Sequence, residues 1–188
     1  MSAAGATGGV FQEARARELH RQLFTEAGQN VYVVLDGASV PELLERLAQD
    51  GPEYVCLYRG ELEPDLAACA PYLVQLRREA PFTEWVIQQG WGKHWGIFAA
   101  SPADLKTMRK HFRTFLVVKD PEGKQLYFRY YDPRVLRVYL PTCNAEETAH
   151  VFGPVSRFLL EDEAPATLLR FWPEPGPPRQ ETVKLTQT

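Results

Sequence analysis

The feature that most constrains the fold is a series of short apolar runs separated by helix signals. "NVYVVLDG" at 30–37 is rich in β-branched residues and too short for a helix, so it predicts a buried strand. Similar runs predict strands at 54–60, 71–76, 95–101, 115–120, 124–132 and 166–172. Helical patterns separate several of these runs, an alternation typical of α/β proteins. We therefore predict a layered α/β domain whose mixed, mostly parallel sheet ends in a β-hairpin and carries helices packed on it.

The composition is consistent with one folded unit. Of the 188 residues, 45% are hydrophobic and 12% aromatic, which is enough to bury a core. Residues 1–10 are small and glycine-rich and predict a flexible leader. Residues 11–172 predict a single domain, and the proline-rich, polar residues 173–188 predict a disordered tail.

Charge and cysteine usage argue against several classes of protein. The formal net charge of -3 gives no general attraction to nucleic acids or anionic membranes. The three cysteines form no C-x-x-C pair, so neither a zinc site nor a dithiol redox motif is indicated. The N-terminus does not resemble a secretory signal, and no apolar run is long enough to span a membrane. We expect a cytoplasmic protein with no metal, no cofactor, no membrane partner and no nucleic-acid partner.

No catalytic motif stands out, although one carboxylate is suggestively placed. The chain has no G-x-S-x-G elbow, H-E-x-x-H pair or P-loop. Asp36 ends a predicted strand, where α/β enzymes often place catalytic acids. A small-molecule enzyme that uses Asp36 and Arg129 is therefore an alternative, and it requires a deep polar pocket there. We favour a structural role, in which the Asp36 carboxylate accepts hydrogen bonds from the following turn, and predict no catalytic residue.

The segment "YFRYYDPRVL" at 127–136 combines aromatic residues with arginine. In an extended strand, alternate side chains point to opposite faces. One face, predicted to join the core, contains Leu126, Phe128 and Tyr130. The other, predicted to contact a partner because such residues are enriched at interfaces, contains Tyr127, Arg129 and Tyr131. Asp132 and Pro133 fit the N-cap and first position of a following helix, which is a structural role.

Further candidates for partner binding lie outside that strand. They are Lys106, Arg109, Lys110 and Arg113 on one predicted helix, together with Trp91 and Arg134. The basic helix either steers an acidic partner or is a solvated helix face, and both interpretations stay open. Aromatic residues interleaved with arginine also occur in nucleic-acid-binding sheets, which makes that role a minor alternative.

The order of these segments resembles a known family. It is similar to the adaptor-chaperone domain of bacterial type VI secretion systems over about residues 30–155. The segments that carry the resemblance are "VYVVLDGA", "CLYRGELEPDLAACAPYLVQL", "WGIFAAS", "HFRTFLVVKDPEGKQLYFRYYDPRVL" and "FGPV". The most specific of them runs from the basic helix to "FRYYDPRVL".

The resemblance implies a cytoplasmic adaptor that works by binding and not by catalysis. Such an adaptor binds a toxic effector protein and loads it onto a VgrG-type spike protein. Some members of that family carry an additional C-terminal lobe that contributes to partner choice. Because this chain stops soon after residue 172, we expect any such lobe to be short or missing.

Overall fold

A seven-stranded sheet is the centre of the protein, seen in a computed structural model that describes residues 4–119 and 122–185. Its strands are β1 (Asn30–Asp36), β2 (Tyr54–Cys56), β3 (Pro71–Leu76), β4 (Gly96–Ser101), β7 (Arg157–Glu161), β8 (Thr167–Trp172) and β9 (Arg179–Lys184). The strand order is β2-β3-β1-β4-β7-β8-β9. Two more strands, β5 (Val117–Lys119) and β6 (Gln125–Tyr127), form a separate hairpin, and residues 120–121 between them lie outside the described residues.

Seven helices surround the sheets within the described residues. They are α1 (Ala4–Leu23), α2 (Leu43–Asp50), α3 (Pro64–Cys69), α4 (Pro81–Trp85), α5 (Leu105–Phe112), α6 (Pro133–Tyr139) and α7 (Ala145–Phe152). A π-helical turn, Val86–Gly90, continues α4. Over the described part of the chain, none of these helices combines the length and apolarity that crossing a bilayer requires.

The prediction of a mostly parallel sheet is wrong, because every neighbouring pair of strands is antiparallel. Strands β1 and β2 do run in the same direction, as expected for strands joined through a helix. However, β3 lies between them and pairs antiparallel with both. The apolar pattern identifies strands but not their neighbours, so a crossover that skips one position looks like a direct one.

Helices cover both faces of the sheet, as the alternation of side chains in β1 shows. Tyr32 and Val34 lie in one buried cluster, which includes Phe112 of α5 and residues of α6 and α7. Val33 and Leu35 lie in a second cluster with residues of α1, α2 and α4. The sheet is therefore the middle layer of three, and both of its faces are removed from water.

A close approach of two strands fixes one glycine in the sheet. A Cβ atom at Gly96 in β4 would lie 2.1 Å from the carbonyl oxygen of Val34 in β1. Any larger residue would therefore have to push β4 away from the central strand.

Both ends of the described chain contain secondary structure where disorder was expected. Residues 1–3 of the predicted leader lie outside the described residues, but α1 already begins at Ala4. In the predicted tail, β9 pairs with β8 along its whole length, so the expected disorder is wrong for Arg179–Lys184. This strand is polar and lies at the sheet edge, which removes the apolar pattern by which strands are recognised. Residues 186–188 lie outside the described residues.

An aromatic cluster joins the chain after the hairpin to α5. The side chain of Tyr130 is fully buried and stacks on Phe112, with ring centroids 5.7 Å apart. Its hydroxyl donates a hydrogen bond to the Phe112 carbonyl oxygen at 2.9 Å. The phenol therefore contributes both apolar area and a satisfied buried polar group.

We expect Tyr130→Phe to lower the free energy of unfolding by about 1–3 kcal/mol, because the buried Phe112 carbonyl loses its side-chain donor. Tyr127→Phe removes the same hydroxyl from a side chain that is 72% exposed, and should change stability by less than about 0.5 kcal/mol. Urea unfolding followed by circular dichroism measures both. Equal effects of the two substitutions would show that the buried hydrogen bond contributes nothing.

Candidate functional site

The Asp36 carboxylate closes the turn that follows β1. It accepts hydrogen bonds from the Ala38 N–H at 3.2 Å and the Ser39 hydroxyl at 3.0 Å. The Arg129 guanidinium donates to it at 2.5 Å and so links this turn to the segment after the hairpin. Both carboxylate oxygens are engaged and the side chain is buried. This geometry fits the structural role, whereas the enzyme alternative required a carboxylate in a deep polar pocket.

Asp132 and Pro133 start α6, as predicted. The Asp132 carboxylate accepts the Arg134 N–H at 2.9 Å, and Pro133 is the first residue of the helix. The Arg134 guanidinium also donates to both carboxylate oxygens, at 3.0 and 2.7 Å. Burial opposes ionisation of the Asp132 carboxyl, but the hydrogen bonds from Arg134 outweigh it and the pKa lies below its ordinary value. Arg129 and Arg134, predicted to contact a partner, thus each pair with a buried carboxylate of this chain.

The predicted alternation of side chains fails after Tyr127, because β6 ends there and the chain turns. The turn carries a hydrogen bond from the Asp132 N–H to the Arg129 carbonyl oxygen. Leu126, predicted to be in the core, is exposed within β6, whereas Tyr131, predicted to be exposed, is buried beyond the turn. Burial first, and then the neighbouring Tyr58 phenol, raises the pKa of Tyr131. Of the predicted aromatic contact residues in this segment, only Tyr127 is exposed.

Arg113 at the end of α5 is a structural anchor. Its guanidinium donates hydrogen bonds to the carbonyl oxygens of Cys56, Leu57 and Tyr58, at 2.9, 3.0 and 2.9 Å. These carbonyls belong to β2 and to the chain that leaves it. The contact therefore fixes the edge of the sheet against α5.

Other basic side chains of α5 stay available at the surface. Asp104 caps this helix, with its carboxylate accepting the Thr107 N–H at 2.8 Å. Lys106 and Lys110 are exposed and Arg109 is half-buried. The basic face predicted from the sequence is thus present, except that Arg113 also has a structural task.

Two adjoining depressions meet at Arg59 and Arg113. An apolar pocket of about 400 Å³ is lined by Leu57, Tyr58, Arg59, Leu62, Leu66, Arg113, Leu116 and Tyr127. A basic pocket of about 540 Å³ is lined by Arg59, Asp104, Lys106, Thr107, Arg109, Lys110 and Arg113. Because they share two arginines, we treat them as one surface, the Arg113 groove. It is the candidate functional site, and what it can do chemically is bind apolar and anionic groups side by side.

The Arg113 groove unites some of the predicted residues and separates others. It brings Tyr127 together with the basic residues of α5. Trp91 lies elsewhere, half-buried against the cluster on the opposite face of the sheet, with its indole N–H donating to the Pro165 carbonyl at 2.7 Å. Sequence reasoning missed Leu62 and Leu66, because acidic residues surround them in the segment 61–65. Helical spacing offered no signal for the pair, because Leu66 lies in α3 and Leu62 lies before that helix begins.

A second polar cluster holds the glycine-tryptophan loop at 90–96. The buried Glu161 carboxylate accepts the Gly92 N–H and contacts the His94 ring nitrogen Nδ1 at 2.5 Å. Burial raises the pKa of Glu161, while the contacts with Gly92 and His94 oppose that shift. Sequence reasoning missed Glu161 because it predicted no strand at 157–161. Within residues 4–119 and 122–185, no group of three or more His, Cys, Asp or Glu side chains is arranged to hold a metal ion.

Comparison with known proteins identifies a family for the chain. A sequence profile described as a domain of unknown function, DUF4123, matches residues 31–150. Since this match covers more than half of the 188 residues, the chain belongs to the DUF4123 family. The matched range contains every residue that lines the Arg113 groove. No curated protein and no solved structure shows significant similarity to the chain.

We expect Arg113→Lys to lower the free energy of unfolding by about 1–3 kcal/mol, because an ammonium cannot reproduce the planar set of bonds to three carbonyls. Arg109→Lys makes the same change one helical turn earlier, and should alter stability by less than about 0.5 kcal/mol. Urea titrations of both variants beside the wild type give the comparison. The anchoring role is wrong if the two variants are equally stable.

Proposed function

We propose that this DUF4123 member is a cytoplasmic adaptor of a type VI secretion system. It binds a cognate effector protein and helps to load it onto a VgrG-type spike protein, and it does so by binding alone. The resemblance of the segments along 30–155 to the adaptor-chaperone domain supports this proposal. The observation that carries it is the Arg113 groove, which is lined in part by the segment most specific for that resemblance, through Arg113, Leu116 and Tyr127.

The exposed side chains of the groove have the character of a protein interface. Tyr127 is 72% exposed and Leu66 is 48% exposed, so each leaves a large apolar area in water. Aromatic side chains and arginine are enriched in the centres of protein interfaces, where they contribute most of the binding energy. Val117, the cross-strand partner of Tyr127, is exposed as well and lies on the same face of the hairpin.

The scaffold under the groove is held by contacts between distant parts of the chain. Arg113 fixes the chain at 56–58. The rings of Tyr58 and Tyr127 lie 5.9 Å apart, and so connect the same stretch to the hairpin. A surface organised before binding loses less conformational freedom when a partner docks, which favours affinity.

Co-purification tests the adaptor role. We expect the tagged full-length chain to retain the effector protein, the VgrG-type spike protein, or both, when these are co-expressed from the genes that neighbour its own. The partners should be separated by size-exclusion chromatography after affinity capture. The proposal is wrong if neither protein is retained.

Tyr127→Ala should weaken retention of the captured partner at least about tenfold, because truncation of a central aromatic residue typically costs more than 1 kcal/mol of binding energy. The matched control is Leu44→Ala, which truncates another exposed apolar side chain, 39% exposed, on α2. Titration calorimetry of both variants gives the affinities, and circular dichroism checks their folding. Equal affinities of the two variants would place the interface away from Tyr127. Tyr131→Ala is unsuitable here because Tyr131 is buried.

A further inference from the structure

The Arg113 groove concentrates positive charge on a chain whose net charge is -3. Five cationic side chains line its basic pocket: Arg59, Lys106, Arg109, Lys110 and Arg113. Among the described residues that line this pocket, the one carboxylate is Asp104, which is engaged with the Thr107 N–H as the helix cap. The local balance is therefore strongly positive.

Within the described part of the chain, no salt bridge neutralises these cations. Across the described residues, no carboxylate forms a salt bridge with Arg59, Lys106, Arg109 or Lys110. Arg129 and Arg134, in contrast, each pair with a buried carboxylate. Burial first, and then the nearby charges of Arg109 and Arg59, lower the pKa of Arg113. A group of mutually repelling cations gains free energy when an anionic partner neutralises it.

The apolar half of the groove restricts what kind of anion fits. Leu62, Leu66 and Leu116 line it together with Tyr127. Aliphatic walls suit apolar side chains, whereas a single-stranded nucleic acid is held by several aromatic rings on which its bases stack. This pocket has four leucines and two tyrosines, and its Tyr58 ring is half-buried against Tyr127, so only Tyr127 offers a freely exposed ring. The combination therefore favours a polypeptide over a nucleic acid.

We infer that the Arg113 groove binds an acidic segment of a partner protein that carries a large apolar anchor. The anchor lies in the apolar pocket between Leu66 and Tyr127, and the carboxylates face Lys106 and Lys110. This inference rests on the proposed function, because it describes the segment of the effector or spike protein that the adaptor holds. Salt weakens such binding by screening the basic pocket.

A random peptide library displayed on phage and selected on the immobilised full-length chain tests the chemistry of the occupant. We expect enriched peptides to be net negative and to contain a leucine, phenylalanine or tryptophan. Enrichment of neutral or basic peptides, or no enrichment, overturns the inference. A labelled single-stranded oligonucleotide of comparable charge is titrated in parallel, and tighter binding of the oligonucleotide than of the best peptide overturns it as well.

Charge reversal in the basic pocket then tests the site. Fluorescence anisotropy at low salt should show that Lys106→Glu lowers the affinity for the best selected peptide at least about tenfold. Lys106 is in the first turn of α5, where an acidic residue favours the helix, so the variant should stay folded. Arg17→Glu makes the same change of charge on α1, on the opposite face of the sheet, and should change the affinity less than about twofold. If the two variants change the affinity equally, the peptide does not bind at the basic pocket and the inference is wrong.

The two proposals fail differently. If the effector or spike protein co-purifies but the selected peptides show no acidic preference, the adaptor role stands and the inference is wrong. If acidic, apolar peptides bind and Lys106→Glu weakens them, while neither protein co-purifies, the chemistry of the groove stands and the adaptor role is wrong.

Discussion

Three consecutive backbone carbonyls, at residues 56–58, receive hydrogen bonds from the single guanidinium of Arg113. Carbonyls that leave an edge strand would otherwise rely on water, so this contact defines how the edge of the sheet meets α5. Both halves of the groove include the same side chain. Arg113 therefore has two effects on the groove: its hydrogen bonds fix the backbone that forms one wall, and its charge adds to the positive potential.

Whether a cationic side chain is paired with a carboxylate of this chain distinguishes a structural role from a role in binding. Arg129 lies against the buried Asp36 and Arg134 against the buried Asp132, so their charges are largely cancelled within the fold. Removing either arginine would leave a buried carboxylate without its ion pair, which is costly. The surface cations Lys106 and Lys110 have no such structural duty. An unpaired cation beside an apolar pocket is thus a better indicator of binding than an arginine among aromatic residues.

Local chemistry explains which elements the sequence could predict. Strand β1 follows from its apolar run, and the start of α6 follows from the adjacent Asp132 and Pro133, since both signals involve neighbouring residues. The position of β3 between β1 and β2, and the partner of Arg129, depend on contacts across the chain. Asp36 and Arg129 are 93 residues apart. No periodic pattern encodes such contacts, so the sheet direction was beyond prediction, and the sequence placed Asp36 beside Arg129 only in the enzyme alternative.

One short segment of the candidate site also shows that sequence patterns do not reveal which side chains meet in the fold. In the segment 61–66, acidic and apolar side chains alternate along the sequence, and Glu61, Glu63 and Asp65 are exposed. Yet Leu62 and Leu66, interleaved with them, line the apolar pocket. The same segment thus presents carboxylates to water and leucines to the groove. Its acidic composition alone does not reveal the role of the leucines. What distinguishes the groove is therefore its geometry: side chains from three distant segments meet where one guanidinium has fixed the backbone.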